Sequence, residues 1–364
     1  MQTRMQTRTY TLLLLAGLLL AGLLLAGLLR TGDSHQNLSQ QHFYVFGTLV
    51  GISIWGLDEK RASEATNAIA NDFQTMHHNW HAWHPSPLTE LNQAIATGQT
   101  WTVAQKTSLL PVLTKAKRFY NQSDGLFNPA IGQLIALWGF HNTDLSDNRP
   151  PPPPEKIAEL VALAPGMDEI DIEGNRVSSR NRAVQLDFGA FAKGYAVDLA
   201  IEKLRQFGVQ NAIINVGGDL KAIGKKGDKP WLIGIHHPRN DGVLAAVAVS
   251  GEASVMTSGD YERFYNDKGV RYSHIIDPRN GWPTRRITSV TIIDKSGALA
   301  DAASTALTVA GLQDWHRIAQ QLGIKYVMLV DEAGTVYANP AMAARLQFPP
   351  DKKPKIVVTE PLFH

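Results

Sequence analysis

The stretch Trp231-Leu-Ile-Gly-Ile-His-His-Pro-Arg-Asn-Asp-Gly-Val-Leu-Ala-Ala-Val-Ala-Val249 decides the fold class. Its two apolar runs, Trp231 to His236 and Gly242 to Val249, read as strands, and only residues 237–241 separate them. A parallel pair needs a crossover of a dozen or more residues, so two strands this close must pair antiparallel. Working outward, Glu169 to Ile172, Ala183 to Leu186 and Ala212 to Val216 read as short strands before it. Ile287 to Ile293 and Tyr326 to Val330 follow it. Helices are expected over Ala190 to Phe207, Ala300 to Ala310 and Leu312 to Leu322. Helices and strands interleave, yet several strand pairs leave no room for a crossover helix. The pattern predicts an α+β fold with a mixed, mainly antiparallel sheet core and flanking helices.

Farther upstream, Phe43 to Trp55 reads as a hairpin or one long strand, with Gly47 and Gly51 marking bulges or a close backbone approach. Lys60 to His78 has helical spacing. Thr102 to Tyr120 reads as a helix with Pro111 as kink or restart, and Gly125 to Phe140 as a loop feeding a helix with Pro129 near its first turn. The run Pro150 to Pro154 reads as a stiff surface loop before a short helix starting near Glu155.

Arg4 and Arg8 precede an apolar run from Thr11 to Leu29 built on a repeated Ala-Gly-Leu-Leu-Leu unit. A positive flank before an apolar core is the shape of an export signal, and the run is also nearly long enough to serve as an uncleaved anchor. The positive-inside rule keeps the basic end in the cytoplasm and sends the chain beyond about Thr31 outward. The expectation is an exported protein at the periplasmic face of the inner membrane. Residues 1–31 would be signal or anchor, 32–42 a polar tether, 43–348 the functional domain and 349–364 a tail. With 35 basic against 33 acidic residues, the chain lacks the surplus of a general nucleic-acid binder, although a local patch can still hold a small anion. The absence of cysteine excludes disulfides, thiolate metal sites and a cysteine nucleophile.

Several segments carry chemistry-bearing residues. In Arg271 to Pro283, His274 and Asp277 stand at a strand end before a turn enforced by Pro278, Gly281 and Pro283. They suit an acid/base pair, or equally two side chains that bond the turn backbone. In Leu186 to Asp198, Asp187 ends a strand and Lys193 sits in the first turns of a helix, which suits either a phosphate cradle or a capped helix with a solvated lysine. The segments Asn215-Val-Gly-Gly-Asp219 and Thr257 to Arg263 fit close ligand approach or ordinary turns. On a helix, Asp301, Ser304 and Thr305 share one face. Such hard oxygens suit Mg²⁺, and hydroxyls of that kind also bond back to helix carbonyls. His77, His81 and His84 would share a face only if their helix ran on, and Pro85 argues that it stops. An aromatic wall is the expected reading there.

The order of FGT at Phe46 to Thr48, FNPAIG with LWGF, LDFGAFAKGYAVD, NVGGD, TSGDYERF, HIIDPRNGWP and ADAAST resembles the ApbE family of FAD:protein FMN transferases, from about Phe43 to about Gly311. The resemblance implies an ApbE-like flavin transferase domain. It would move the FMN part of FAD, with Mg²⁺, onto a threonine of another exported protein and release AMP. It implies flavin contacts at Phe46, Trp83, Leu126, Phe127, Asn128, Asp187, Lys193 and the backbone near Ile275. Mg²⁺ would be held by Asp301 and Thr305, helped by Ser304 and the backbone of Ala190. His274 would accept the threonine proton, with Asp277 orienting it or assisting the metal. The implied acceptor is a subunit of a membrane respiratory complex. Trp83 stands where the family usually has tyrosine, Phe46 where it often has methionine, Asn128 where it often has aspartate and Asn280 where it often has threonine. No cysteine is available to carry the lipid that many relatives bear. A flavin-binding storage protein and a Mg²⁺-dependent FAD pyrophosphatase giving FMN and AMP are the alternative readings.

Overall fold

The computed structural model describes residues 38–363 apart from 143, 146–148 and 352. The expectations for the leading apolar run and the start of the tether fall on residues outside that set. Among the described residues no helix is long and apolar enough to cross a membrane.

Nine strands form the main sheet: β1 (Leu38–Val45), β2 (Thr48–Trp55), β3 (Asn211–Val216), β4 (Asp219–Ile223), β5 (Ala253–Gly259), β6 (Ile287–Asp294), β7 (Tyr326–Asp331), β8 (Val336–Ala338) and β9 (Ile356–Val358). They lie side by side in chain order. Every neighbouring pair is antiparallel except β8 with β9, which is parallel. The sheet is therefore mixed and mainly antiparallel, as expected. The opening stretch pairs antiparallel too, but in a separate sheet: Trp231–His236 with Val243–Val249, and the latter with Leu346–Gln347.

Between β2 and β3 the chain inserts α1 (Glu59–Asn79), α2 (Pro87–Thr97), α3 (Leu109–Gln122), α4 (Gly132–Trp138), α5 (Pro154–Ala162) and α6 (Ala192–Gln206), and α7 (Gly297–Leu322) joins β6 to β7. Period-two alternation sends Val50, Ile52 and Ile54 of β2 into one core with Ile69 and Phe73 of α1, Ile201 of α6 and Leu307 of α7. The opposite sheet face, through Ala222, Val255 and Met328, meets Ile233, Ile235 and Val247 of the small sheet. The main sheet is thus a middle layer. Its strand β6 is buried at every position but the last, which explains its near-continuous apolar and hydroxyl sequence.

Some boundaries differ from those expected, each for a local reason. Residues 38–42 belong to β1 and not to a tether, with Ser39 buried. The expected tail supplies β9 and buries Leu362 in the main core. Ala183 to Leu186 forms no strand; a single bridge ties Gln185 to Ile131. Pro111 lies in the first turn of α3, where its missing N–H costs nothing, so no kink arises. The two helices expected at 300–310 and 312–322 are halves of α7, broken at Gly311 with φ 66° and ψ −175°.

Helices α6 and α7 touch through glycine. A Cβ on Gly194 would lie 2.3 Å from the Gly297 carbonyl oxygen, and one on Gly297 would lie 2.5 Å from that of Gly194. Asp198 of α6 also accepts the N–H groups of Gly297 at 2.7 Å and Ala298 at 3.0 Å, binding the start of α7. Replacing Gly297 by alanine should force the helices apart and lower the free energy of unfolding by about 1–3 kcal/mol, the range for such overpacking, seen as a lower urea midpoint. An unchanged midpoint would show that the contact is slack.

Candidate active site

The hairpin between β1 and β2 turns on Phe46 and Gly47, both at positive φ (55° and 70°). Glycine accepts that backbone readily, whereas Phe46 adopts it at a cost of roughly 1–2 kcal/mol. Its ring is anchored against Phe73 at 5.4 Å and edge-on to His77 at 5.6 Å. Helix α1 ends at Asn79, so His81 and His84 are not on its face. His81 Nδ1 instead accepts the backbone N–H groups of Trp83 and His84, both at 3.1 Å, which folds the loop into a wall. Trp83 donates its indole N–H to Asp187 at 2.7 Å, and the other oxygen of Asp187 accepts Gly189 N–H at 2.7 Å. Asp187 therefore sets the plane of the Trp83 ring.

Across the cavity, Lys193 stands in the first turn of α6 and pairs with Asp219 at the start of β4. The turn Gly217-Gly218 between β3 and β4, both at positive φ, delivers that aspartate. Asp301 of α7 accepts the N–H of Gly194 at 2.8 Å, one of the donors a helix start leaves without an internal partner. Glu262 completes the cluster. Burial opposes the Lys193 ammonium, but Asp219, Glu262 and Asp301 outweigh it and hold the amine protonated above its ordinary range. Burial, then the charge of Asp219, pushes Asp301 well above the carboxylate range, against the pull of Lys193. Glu262 is pushed up to about 7 by burial in spite of Lys193. One ammonium faces three carboxyl groups here. All three could not ionise beside a single ammonium, and the upward shifts of Asp301 and Glu262 express that.

The segment after Ser273 closes the third side. His274 is half-buried, with its Nδ1 3.2 Å from the Arg263 carbonyl oxygen. A carbonyl only accepts, so Nδ1 carries the proton and Nε2 the lone pair. Burial, followed by the nearby Arg263 cation, pushes this imidazole down to about 4. Asp277 has different work. Its Oδ1 accepts the backbone N–H and the Nε of Arg279, both at 2.9 Å, and its Oδ2 accepts Arg279 Nη2 at 2.7 Å. It caps the turn that Gly281, at φ 74°, completes against Ile157 of α5.

One cavity of about 990 Å³ is bordered by Phe46, Trp83, Leu126, Asn128, Asp187 and Ala190, and also by Lys193, His274, Ile275, Asp301 and Thr305. Three expected site residues do not border it. Phe127 points into an aromatic cluster, edge-on to Phe119 and Phe191. Ser304 is fully buried, donates to the Asp301 carbonyl at 2.8 Å and meets Ser258 Oγ at 2.7 Å, so it sits behind Asp301 and Thr305. Asp277 is the third. Asn128 borders the cavity, but its amide already bridges the Pro165 carbonyl at 2.9 Å and the Ala130 N–H at 3.0 Å.

A family model described as the ApbE family matches residues 46–328. The chain belongs to the ApbE family. It is 42% identical over 311 residues to a Rhodobacter capsulatus protein named FAD:protein FMN transferase, an overlap covering 84% of this chain and 58% of that one. A Vibrio cholerae protein of the same name is 33% identical over 261 residues, covering 70% of this chain and 76% of its own length. Thus the chain spans little more than half of the Rhodobacter relative. Among solved structures, the Thermotoga maritima ApbE protein superposes with a TM-score of 0.77 at 30% identity, covering 85% of this chain and 99% of that one. The flavin transferase ApbE from Vibrio cholerae gives 0.73 at 26% identity, covering 85% and 100%.

Two members of this ApbE site, Asp219 and Glu262, do not stand out from the residues alone. Each falls in a glycine-containing turn that explains itself, and only the fold brings both to Lys193. Aspartate after a paired glycine is the signal available for the first.

The ordinary imidazole value is 6.5 and the folded one lies below it, so the unfolded chain takes up the proton first. Stability contributed by neutral His274 is therefore present above 6.5 and lost as pH falls towards about 4. Urea unfolding compared near neutrality and near pH ~5 should show this loss in the wild type and a smaller one in His274→Asn. An equal pH response in both proteins would mean that His274 is solvated like a free imidazole.

Proposed function

We propose that this chain is an FAD:protein FMN transferase, moving the FMN moiety of FAD to a threonine hydroxyl of a target protein and releasing AMP. What carries the reading is one cavity that joins an aromatic wall, a lysine–carboxyl cluster and a neutral histidine. A flavin nucleotide needs all three: a ring surface, compensation for its pyrophosphate and a group to take the acceptor's proton.

The donor set fits Mg²⁺. Asp301 and Thr305, which carry hard oxygens, border the cavity together with Ala190, and Ser304 braces them from behind through Ser258. A cation beside Asp301 would offset the burial and the Asp219 charge that push its carboxyl up. When bound there, Mg²⁺ supplies positive charge that offsets the pyrophosphate. Lys193 holds a phosphate oxygen, and Asp219 keeps its ammonium aimed across the floor. Trp83, fixed by Asp187, gives the isoalloxazine or adenine a stacking face.

The threonine oxygen forms a bond to the FMN phosphorus as the bond from that phosphorus to the bridging oxygen breaks. AMP leaves with that oxygen. The threonine proton passes to His274 Nε2, already unprotonated at neutral pH. An imidazole pushed down to about 4 is a weak base. The negative charge of the nucleotide offsets Arg263 and Lys193 and raises its basicity only once substrate is in place. Asp277 acts through Arg279 on the turn that carries His274, not by contact with the imidazole. The acceptor is an exported protein, a subunit of a membrane respiratory complex, and the enzyme works at the periplasmic face. The basic flank and apolar run of the first residues support that location.

Incubation with FAD, Mg²⁺ and a threonine-bearing acceptor should leave flavin fluorescence on the acceptor in a denaturing gel. His274→Ala should bind FAD as the wild type does and lose about 10²–10⁴-fold in transfer rate, the range for a lost general base. Unchanged transfer would remove His274 from the chemistry. Free FMN and AMP formed at the same rate with no acceptor present would reassign the protein as a pyrophosphatase.

A further inference from the structure

Strand Trp231–His236 is an edge strand: its small sheet runs Leu346–Gln347, Val243–Val249, Trp231–His236 in spatial order. Its side chains alternate, with Trp231, Ile233 and Ile235 buried and Leu232, Gly234 and His236 exposed. Yet the consecutive residues Leu232, Ile233, Gly234, Ile235 and His236 all border the cavity described above. Successive side chains of a strand point to opposite faces, so five in a row meet one space only where the strand turns its open edge to it. Among the described residues, the backbone of 231–236 makes no hydrogen bond except to Val243–Val249. An open edge that long is a template for another strand, and proteins generally cover or charge such edges.

The geometry points to this edge as the docking site of the acceptor polypeptide, which adds as an extended strand beside Trp231–His236 and brings its threonine into the cavity. The inference rests on the transferase reading and names how its protein substrate is held. Strand addition supplies main-chain affinity with little demand on sequence, which suits an enzyme that must admit a folded partner's loop to a deep site. Apolar sockets lie at hand. Leu232 is 66% exposed at the edge, and Leu220 and Val255 of the main sheet border the same cavity. Tyr44 and Leu49, paired across the β1–β2 hairpin whose tip carries Phe46, are 70% and 50% exposed. The turn leading into the strand holds Lys225, Lys226 and Lys229, all exposed and none in an ion pair among the described residues, against the single acid Asp228. The occupant is therefore an extended segment with carboxylates at the end lying over 225–229.

The test uses the flavin-accepting domain of a membrane respiratory-complex subunit as probe, with FAD and Mg²⁺ present. Leu232→Lys should raise the acceptor KM by about tenfold with kcat little changed, the signature of lost uniform binding. FAD affinity should stay at the wild-type value, which separates lost docking from a damaged fold. The triple variant Lys225→Glu, Lys226→Glu, Lys229→Glu should raise KM similarly, and more at low salt than at high salt. Hydrogen exchange should show amides 231–236 slowing when the acceptor is added and not when FAD alone is added. Wild-type KM in both variants, with unaltered exchange at 231–236 despite efficient flavin transfer, would overturn the docking site while leaving the transferase intact. No transfer by the wild type would remove both. Protection that rises with enzyme concentration alone would assign the edge to a second copy of this chain and overturn the proposal.

Discussion

The ammonium of Lys193, buried among the carboxyl groups of Asp219, Glu262 and Asp301, is the constraint on which the rest of the site depends. Each partner comes from a different element: α6, β4, the segment after β5 and α7. Opposite charges out of water attract strongly, but isolated ones are costly to bury, so the cluster persists only if all its elements are held in register. The glycine contact between α6 and α7 meets that need, because it brings the Gly194 N–H to Asp301. The two-residue turn between β3 and β4 does the same for Asp219. Close packing here is what aligns charge.

The same cluster explains why the opposite wall can be neutral. His274 feels Arg263 and Lys193 as repulsive cations, and no carboxylate balances them at the ring. Its base strength is consequently tied to whatever anion enters. Trp83, by contrast, is oriented by a carboxylate, Asp187, that sees its indole N–H and a backbone amide and so needs no cation. The carboxyl groups facing Lys193 gather on one floor, while on the walls Asp187 orients the Trp83 ring and a backbone carbonyl orients His274.

Much of this was legible in the residues. The fold class followed from Trp231 to Val249, since 237–241 cannot hold a crossover. The face of Asp301 and Thr305 followed from helical spacing, and the break in α7 from the glycine at 311. The limits were physical as well. Spacing puts Ser304 on the same face as its neighbours but does not say that its hydroxyl turns to the Asp301 carbonyl and to Ser258, behind Asp301 and Thr305. His274 and Asp277 looked like a pair because they are three residues apart. Yet the turn directs Asp277 to Arg279 and leaves His274 to a carbonyl eleven positions earlier in the chain. A contact with a distant strand places Ser304, and the geometry of one turn separates Asp277 from His274; spacing along the chain carries neither.

The proposed transfer of a nucleotide to a protein needs two routes to one reacting centre. The layers of this fold supply them. The helical insertion between β2 and β3 brings Trp83, Asp187 and Lys193 to the cavity from one side of the main sheet. The small sheet, packed on the other face through Ile233 and Ile235, lays an open strand edge along the same cavity. β5 joins the two, because alternation along one strand sends Ser258 towards Ser304 and Thr305 of α7 and Val255 towards the small sheet. A shift of one residue in the register of β5 would exchange these faces and misplace the proposed nucleotide side and polypeptide side at once. Its antiparallel pairing with β6, continuous from Ser254 to Gly259, is what prevents that slip.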